Sequence, residues 1–161
     1  MKATYTKLCQ ILLPAVLIAG VLSVISDAAP LSRQYYVDER GELRRYSRSV
    51  VTEGGSTVWL AGQTTLEDAN GNSISGDFAA QTREAYRLIG EHLEELGGDV
   101  SDIVTMTVYA TDVRDVDTYV GIKEEVFGAG PYPSSAFIGV SGFSRPGVVV
   151  EVKATAVIGE E

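Results

Sequence analysis

The chain has 161 residues, enough for one domain whose core requires neither metals nor disulfides. Its 13 basic and 22 acidic residues give a net charge of -9, which disfavours nucleic acid and anionic membranes, because both are bound by Lys and Arg side chains. The chain has one cysteine, Cys9, and one histidine, His92, so we expect no disulfide, no metal and no cofactor.

The first 28 residues have the pattern of a secretory signal peptide. Lys2 and Lys7 provide a basic start, residues 11–21 form an apolar run, and small residues follow. We predict cleavage after Ala28, which gives a secreted or periplasmic protein without membrane contact and removes Cys9. The alternative is an uncleaved amino-terminal membrane anchor, since the apolar run lies near the lower limit for spanning a bilayer.

The next part of the chain predicts short strands and turns. Residues 29–45 are charged and weakly patterned, and we predict an amino-terminal extension or edge strand there, with a turn at Gly41. A strand is predicted over residues 46–52. Gly54 and Gly55 then predict a hairpin turn into a further strand at residues 57–63.

Two amphipathic helices are predicted in the middle of the chain. Asp77 begins the first, whose apolar residues recur every three or four positions until Gly97 and Gly98 end it. The alternation of residues 103–110 predicts a strand. Asp112 then begins the second helix. Its inner stripe contains Val116, Val120, Lys123 and Phe127.

The last two predicted strands show the clearest alternation. In residues 148–157 one face is wholly apolar, while the other is mixed and carries Glu151 and Lys153. Residues 135–140 alternate in the same way, and the turn-rich residues 141–147 join the two runs, so we predict an adjacent antiparallel pair. The two charges indicate an intersubunit ion pair, strand-edge charges or the polar floor of an intersubunit cleft.

The order of elements predicts an α+β fold with a six-stranded, mostly antiparallel sheet and two helices on one face. The opposite face then keeps an apolar set of residues: Trp59, Tyr109, Phe137, Val149 and Val157. A monomer rarely leaves such a surface exposed. We therefore expect an oligomer whose pockets lie between subunits.

Several runs together resemble the reactive intermediate/imine deaminase (Rid) family, also called the L-PSP endoribonuclease family. The runs follow the order of the predicted elements: Tyr46 to Val50, Trp59 to Gln63, Gln81 to Arg83, Asp102 to Val104, Thr107 to Tyr109, Thr111 with Asp112, and Val150 to Ala154. We therefore interpret residues 46–158 as a Rid-like domain. The resemblance implies a chorismate-mutase-like fold and a homotrimer with three intersubunit clefts, in which small 2-imino or enamino acids are hydrolysed to 2-keto acids and ammonia.

The resemblance also implies a site, and this sequence departs from the family pattern there. Tyr46 is kept, whereas Ser135 stands where the family has a carboxylate-binding arginine. Ala61 replaces a serine, and Lys153 stands at the position of a glutamate that positions water. We predict a small-molecule cleft with these lining residues and no assigned catalytic residue: Tyr46, Ala61, Gly62, Ser135, Phe137 and Lys153.

Two further expectations follow from these departures. Lys153, Arg48 or Arg145 would supply the cation that the family takes from its arginine. The alternative to imine hydrolysis is a non-catalytic ligand-binding or chaperone-like homotrimer. RNase activity is disfavoured, because the chain is acidic and its one histidine, His92, lies in a charged helix segment away from the resembling motifs.

Overall fold

The computed structural model describes residues 29–159. The predicted signal peptide or membrane anchor, at residues 1–28, lies outside this range. Within the described residues, no helix is both long and apolar enough to cross a bilayer.

The described chain contains six strands and three α-helices. In chain order they are β1 (Ser32–Tyr36), α1 (Glu39–Arg44), β2 (Ser49–Glu53), β3 (Ser56–Trp59), α2 (Phe78–Glu95), β4 (Ile103–Ala110), α3 (Val116–Phe127), β5 (Ser134–Gly139) and β6 (Val150–Ile158). Short 3-10 turns precede β4 and α3, at Val100–Asp102 and Val113–Asp115. The predicted α+β fold, with two long helices and six strands, is confirmed.

The six strands do not form the single predicted sheet. They form a four-stranded sheet of order β3-β6-β4-β5 and a two-stranded sheet of β1 and β2. A single parallel bridge between Ser47 and Ser134 joins the two parts. The buried Ser47 strengthens this junction, since its hydroxyl donates to the Tyr132 carbonyl at 2.6 Å and its amide donates to the Pro133 carbonyl at 3.2 Å. Strand pairing within the sheets is antiparallel except between β4 and β5.

The prediction that β5 and β6 are paired neighbours is wrong, because β4 lies between them. β5 runs parallel to β4, as a strand reached through a helical crossover must, and α3 supplies that crossover. The turn-rich residues 141–147 therefore connect two strands that are not adjacent. Sequence proximity suggested a hairpin, whereas the longer-range pairing with β4 determines the sheet order.

The predicted hairpin at Gly54 and Gly55 is also wrong. Both glycines have positive φ angles, as a tight turn requires. However, β2 pairs with β1 and β3 pairs with β6, so the turn carries the chain from one sheet to the other.

The predicted turn at Gly41 is instead part of the short helix α1. The Asp38 carboxylate caps this helix by accepting from the Gly41 amide at 2.7 Å. A Cβ at Gly41 would come 2.5 Å from the Tyr46 carbonyl oxygen, so the helix packs tightly on the chain that follows it. This places α1 beside Tyr46, where it forms one wall of a cleft described below.

The helices pack on the apolar face of the four-stranded sheet, as predicted. Asp77 caps α2 through the Ala80 amide, at 2.9 Å. The alternate β6 residues predicted to be apolar are all buried: Val148, Val150, Val152, Ala154 and Ala156. This stripe belongs to the buried core beneath α2, in which each large apolar side chain contributes about 1.5–3 kcal/mol.

Gln81 of α2 fixes the start of β6. Its side chain is fully buried, and its amide nitrogen donates to the carbonyls of Ile74 at 2.9 Å and Gly147 at 2.7 Å. Its amide oxygen accepts from the Val149 amide at 3.0 Å. One side chain therefore joins the loop before α2 to the loop before β6, and it supplies the acceptor for the Val149 amide.

The open face of the sheet is less apolar than predicted. Phe137 lies on the helix side instead, where its ring packs against the rings of Phe78 and Tyr119. The cause is its register, because it pairs with the buried Val108 of β4 and paired residues share a face. Val157 is also buried, whereas Trp59 is 80% exposed.

Candidate functional site

The six predicted site residues divide into two groups on opposite sides of the sheet. Tyr46, Ser135 and Phe137 line a cleft of about 530 Å³ among α1, α3 and β5, which we call the helix-side cleft. Ala61, Gly62 and Lys153 line a depression of about 460 Å³ on the open face, which we call the open-face hollow. One protomer therefore does not bring the six residues together.

Three cations lie in or around the helix-side cleft: Arg40, Arg44 and Lys123. Arg44 is paired with Asp117 at 2.7 Å. Arg40 is exposed, and no carboxylate of the described residues lies within ion-pair distance of its guanidinium. The cleft therefore has a positive lining, although the chain as a whole is acidic.

Lys123 is the functional candidate to which the sequence analysis assigned no role. Its side chain is 2% exposed, and its ammonium donates to the carbonyls of Arg44 at 3.0 Å and Arg45 at 2.6 Å. The Ser135 hydroxyl lies 3.5 Å from the same nitrogen. One sequence signal pointed to it, since Lys123 is the only charged residue in the inner stripe of α3.

The surroundings of Lys123 disfavour its charge. Burial, together with the positive charge of Arg44, lowers the pKa of its ammonium to about 8. The Tyr119 ring, whose centroid is 4.9 Å from Nζ, provides partial compensation. Lys123 is thus a buried cation held by neutral acceptors rather than by a carboxylate.

The two arginines proposed as compensating cations lie outside the helix-side cleft. Arg48 is exposed near Asp38, at 3.7 Å, and lines a separate depression with β1. Arg145 is exposed and donates to the Thr64 carbonyl at 3.2 Å. The third proposed cation, Lys153, lies in the open-face hollow.

A carboxylate lies at the centre of the open-face hollow. Glu151 is half-buried, and its side chain packs directly on Gly62, where an added Cβ would overlap the carboxylate. Tyr109 stands opposite Glu151 on β4, and the exposed Lys153 follows two residues later on the same face. Gly62 therefore makes room for the Glu151 carboxylate, which was not among the six predicted site residues.

The Glu151 carboxylate is free to bind a further group. Among residues 29–159, the side chains of Glu151 and Lys153 make no hydrogen bond or ion pair, although both line the same hollow. The prediction of strand-edge charges is wrong, because β6 lies between β3 and β4 in the sheet. An intersubunit ion pair and the polar floor of an intersubunit cleft stay predictions. Within one protomer they provide an acceptor and a cation that face outward together.

His92 and the acidic residues of the described chain do not form a metal site. His92 is exposed on α2, with Nδ1 3.1 Å from a Glu95 oxygen. In the described part of the chain, no three His, Cys, Asp or Glu side chains cluster as metal ligands do.

Residues 39–158 match the family model described as endoribonuclease L-PSP. The chain belongs to the endoribonuclease L-PSP family. The match covers nearly all of the described residues and begins in α1. The resemblance to this family, which the sequence motifs indicated, is confirmed.

Curated relatives in the family include mammalian deaminases. The human 2-iminobutanoate/2-iminopropanoate deaminase is 28% identical over 119 residues, which are 74% of this chain and 84% of that protein. The mouse protein of the same name is 31% identical over 114 residues, or 71% of this chain and 82% of that protein.

Solved structures in the family share the fold. A Rid-family protein of unknown function from Yersinia pestis, YyfB, superposes with a TM-score of 0.68 at 26% identity, covering 78% of this chain and 98% of that one. RidA from an Antarctic Psychrobacter has a TM-score of 0.58 at 28% identity, covering 70% of this chain and 88% of that one. These likenesses agree with the layer of helices on a mainly antiparallel sheet described above.

Proposed function

We propose that this protein hydrolyses small reactive imines or enamines, in clefts formed between the copies of a homotrimer. The observation that carries the proposal is the Glu151 carboxylate, which has no hydrogen-bond donor among the described residues and lies on Gly62 beside Lys153. Relatives named 2-iminobutanoate/2-iminopropanoate deaminase, at 28% to 31% identity, support the same reaction class.

The chemistry requires a water molecule and a place for its proton. In the proposed first step, water bound to the Glu151 carboxylate adds through its oxygen to the imine carbon, and one water proton passes to the substrate nitrogen. The resulting carbinolamine then passes its hydroxyl proton to the nitrogen through the same carboxylate, and the carbon–nitrogen bond breaks, so that ammonia leaves and a carbonyl compound remains. Lys153 lies two residues after Glu151 on the same face of β6. Its ammonium would stabilise negative charge on the substrate, and it would not act as a base.

The proposal includes a second copy, because the open-face hollow is shallow. Trp59, which is 80% exposed, and Ile138, which is 43% exposed, lie on the same face of the sheet. A neighbouring copy that covers this face would close the hollow to bulk solvent and leave room for the substrate and the reacting water. We place the helix-side cleft of that copy, with Tyr46, Ser135 and Phe137, against the hollow of the first, which unites the six predicted residues.

To test the proposal, an amino-acid oxidase generates imines in situ in the presence of the purified protein, and ammonia release is followed over time. We expect the wild-type protein to accelerate release over buffer and Glu151→Gln to lose at least tenfold of that acceleration. Glu94→Gln is the matched control, since Glu94 is an exposed glutamate of α2. A wild-type rate equal to that of buffer would exclude the reaction.

A second candidate is a non-catalytic ligand-binding or chaperone-like homotrimer. It is favoured by Ser135 and Lys153, which stand where the resemblance places an arginine and a glutamate. Ligand binding or suppression of aggregation that survives Lys153→Ala and Tyr46→Phe, without ammonia release by the wild type, would support this candidate.

A further inference from the structure

We propose that Gln81 is a positioning residue for the open-face hollow. From the helix side of the sheet, its buried amide holds the beginning of β6, and thereby sets where the Glu151 carboxylate lies on the opposite face. The catalytic consequence rests on the proposed function, because Glu151 is the group that binds water there. The geometric part is measurable without turnover, so the two can fail separately.

The first argument is the place of Glu151 in its strand. Glu151 is the second residue of β6, so its position depends on what holds the residues just before it. The amide of Val149 donates to the side-chain oxygen of Gln81 at 3.0 Å, and the carbonyl of Val149 accepts from the Thr111 amide at 3.0 Å. Val149 and Glu151 share a face of the strand, and a slip of one residue would turn both to the other side. Gln81 therefore helps to determine the direction in which the carboxylate points.

The second argument is the loop that leads into β6. The side-chain nitrogen of Gln81 donates to the carbonyls of Gly147 at 2.7 Å and Ile74 at 2.9 Å. Gly147 ends the loop that contains Phe143, and Phe143 lines the open-face hollow beside Glu151. The carboxylate and this apolar wall of the hollow are therefore held by the same side chain.

The third argument is the chemistry that the position requires. Two backbone carbonyls need N–H donors and one backbone amide needs an acceptor, and a carboxamide supplies both from one planar group. Gln81 is fully buried, so bulk water does not replace a bond that is lost. An apolar residue would fill the same volume but would leave the beginning of β6 without these bonds.

The variant Gln81→Glu makes this anchor depend on pH. The protonated acid still accepts from Val149 and donates to one carbonyl, whereas the ionised form faces two carbonyl oxygens. Burial and these oxygens raise the pKa of the introduced carboxyl above its usual range. No hydrogen bond of Gln81 goes to a titratable side chain, and the titratable neighbours of Glu151 in the hollow, Lys153 and Tyr109, are unchanged. We expect ammonia release by the variant, relative to wild type at the same pH, to fall at least tenfold between pH 5.5 and 8.5.

A nuclear Overhauser contact between the α-protons of Gly62 and the side chain of Glu151 reports the geometry directly, because the two groups pack together. We expect this contact in the wild type at both pH values and in Gln81→Glu at pH 5.5. It should be lost in Gln81→Glu at pH 8.5 and at both pH values in Gln81→Met, which keeps the volume without the donors or the acceptor. Gln81→Met carries the test if Gln81→Glu unfolds at pH 8.5.

Thr82→Val is the matched control. Thr82 is a buried neighbour on α2, and its hydroxyl donates to the Phe78 carbonyl of the same helix at 2.7 Å. Its loss disturbs the core without removing a bond to β6, so the Overhauser contact and ammonia release should both stay at the wild-type level. Retention of the contact in Gln81→Met, or its loss in Thr82→Val, would overturn the inference. The expected pattern of contacts in a protein that releases no ammonia would contradict the proposed function alone.

Discussion

The side chain of Glu151 packs on the α-carbon of Gly62, so that no larger residue fits at position 62 without moving the carboxylate. Gly62 does not have a positive φ angle, so the requirement for glycine there is one of space. The overlapping atoms belong to the end of a flexible side chain, which can move at little cost. We therefore expect a substitution at position 62 to lower activity strongly and to change the free energy of unfolding little.

Gly62→Ala should separate activity from stability. We expect imine hydrolysis to fall at least tenfold, because the carboxylate is displaced, while the free energy of unfolding in urea changes by less than about 1 kcal/mol. Gly142→Ala is the control in the same hollow, since a Cβ there meets nothing within 4 Å. Equal activity of the two variants would show that the position of Glu151 does not matter.

Lys123 should make stability depend on pH in the alkaline range. Its pKa is lowered to about 8 in the folded protein from 10.5, so between these values the unfolded chain binds more protons. Stability due to this group is therefore fully present above pH 10.5, and is lost as pH falls towards 8. We expect wild type to gain roughly 1–3 kcal/mol relative to Lys123→Met between pH 7.5 and 10.

Urea unfolding of both proteins across that range measures this gain. The other titrating groups are common to the two proteins, so the difference in unfolding free energy isolates Lys123. A difference that stays constant from pH 7.5 to 10 would mean that Lys123 is not a desolvated cation.

Trp59 should contribute to self-association. Its side chain lies on the open face of edge strand β3 and is 80% exposed in the protomer. We expect sedimentation of wild type as a trimer and of Trp59→Lys as a smaller species with an unchanged circular dichroism spectrum. Leu96→Lys, at a 48% exposed apolar residue at the end of α2, is the control and should remain trimeric. A wild-type monomer at micromolar concentration would refute the intersubunit cleft.

The amino-terminal prediction is tested by expression of the full sequence in a bacterium with a secretory pathway. Intact mass measurement should show a soluble exported protein that begins at Ala29. Full-length protein in the membrane fraction would instead support the uncleaved anchor.

The sequence predicted those elements whose pattern is long and local. The stripe of α2, the alternation of β4 and the apolar face of β6 each extend over eight or more residues, and all three are confirmed. The helix start at Asp77 was also predictable, because capping depends on neighbouring residues alone.

The errors arise where distant segments meet. The face of Phe137 is set by its pairing with Val108, which no local alternation reveals. The role of Lys123 appears only when α3 brings its side chain to the carbonyl groups at the end of α1. The alternation of β6 identified Glu151 as a charge on a strand. Its contact with Gly62 depends on the path of the chain after β3, which places Ala61 and Gly62 beside β6.

In the proposed trimer, each cleft combines the Glu151 side of one copy with the Tyr46 side of its neighbour. The most direct test of this shared cleft uses two impaired variants, Glu151→Gln and Tyr46→Phe. The two are mixed in equal amounts, denatured and refolded together, and ammonia release is then measured. Random trimers contain some clefts in which both halves are intact, so ammonia release should recover to about one quarter of the wild-type rate. Mixed trimers that release ammonia no faster than the two variants refolded separately would contradict the account.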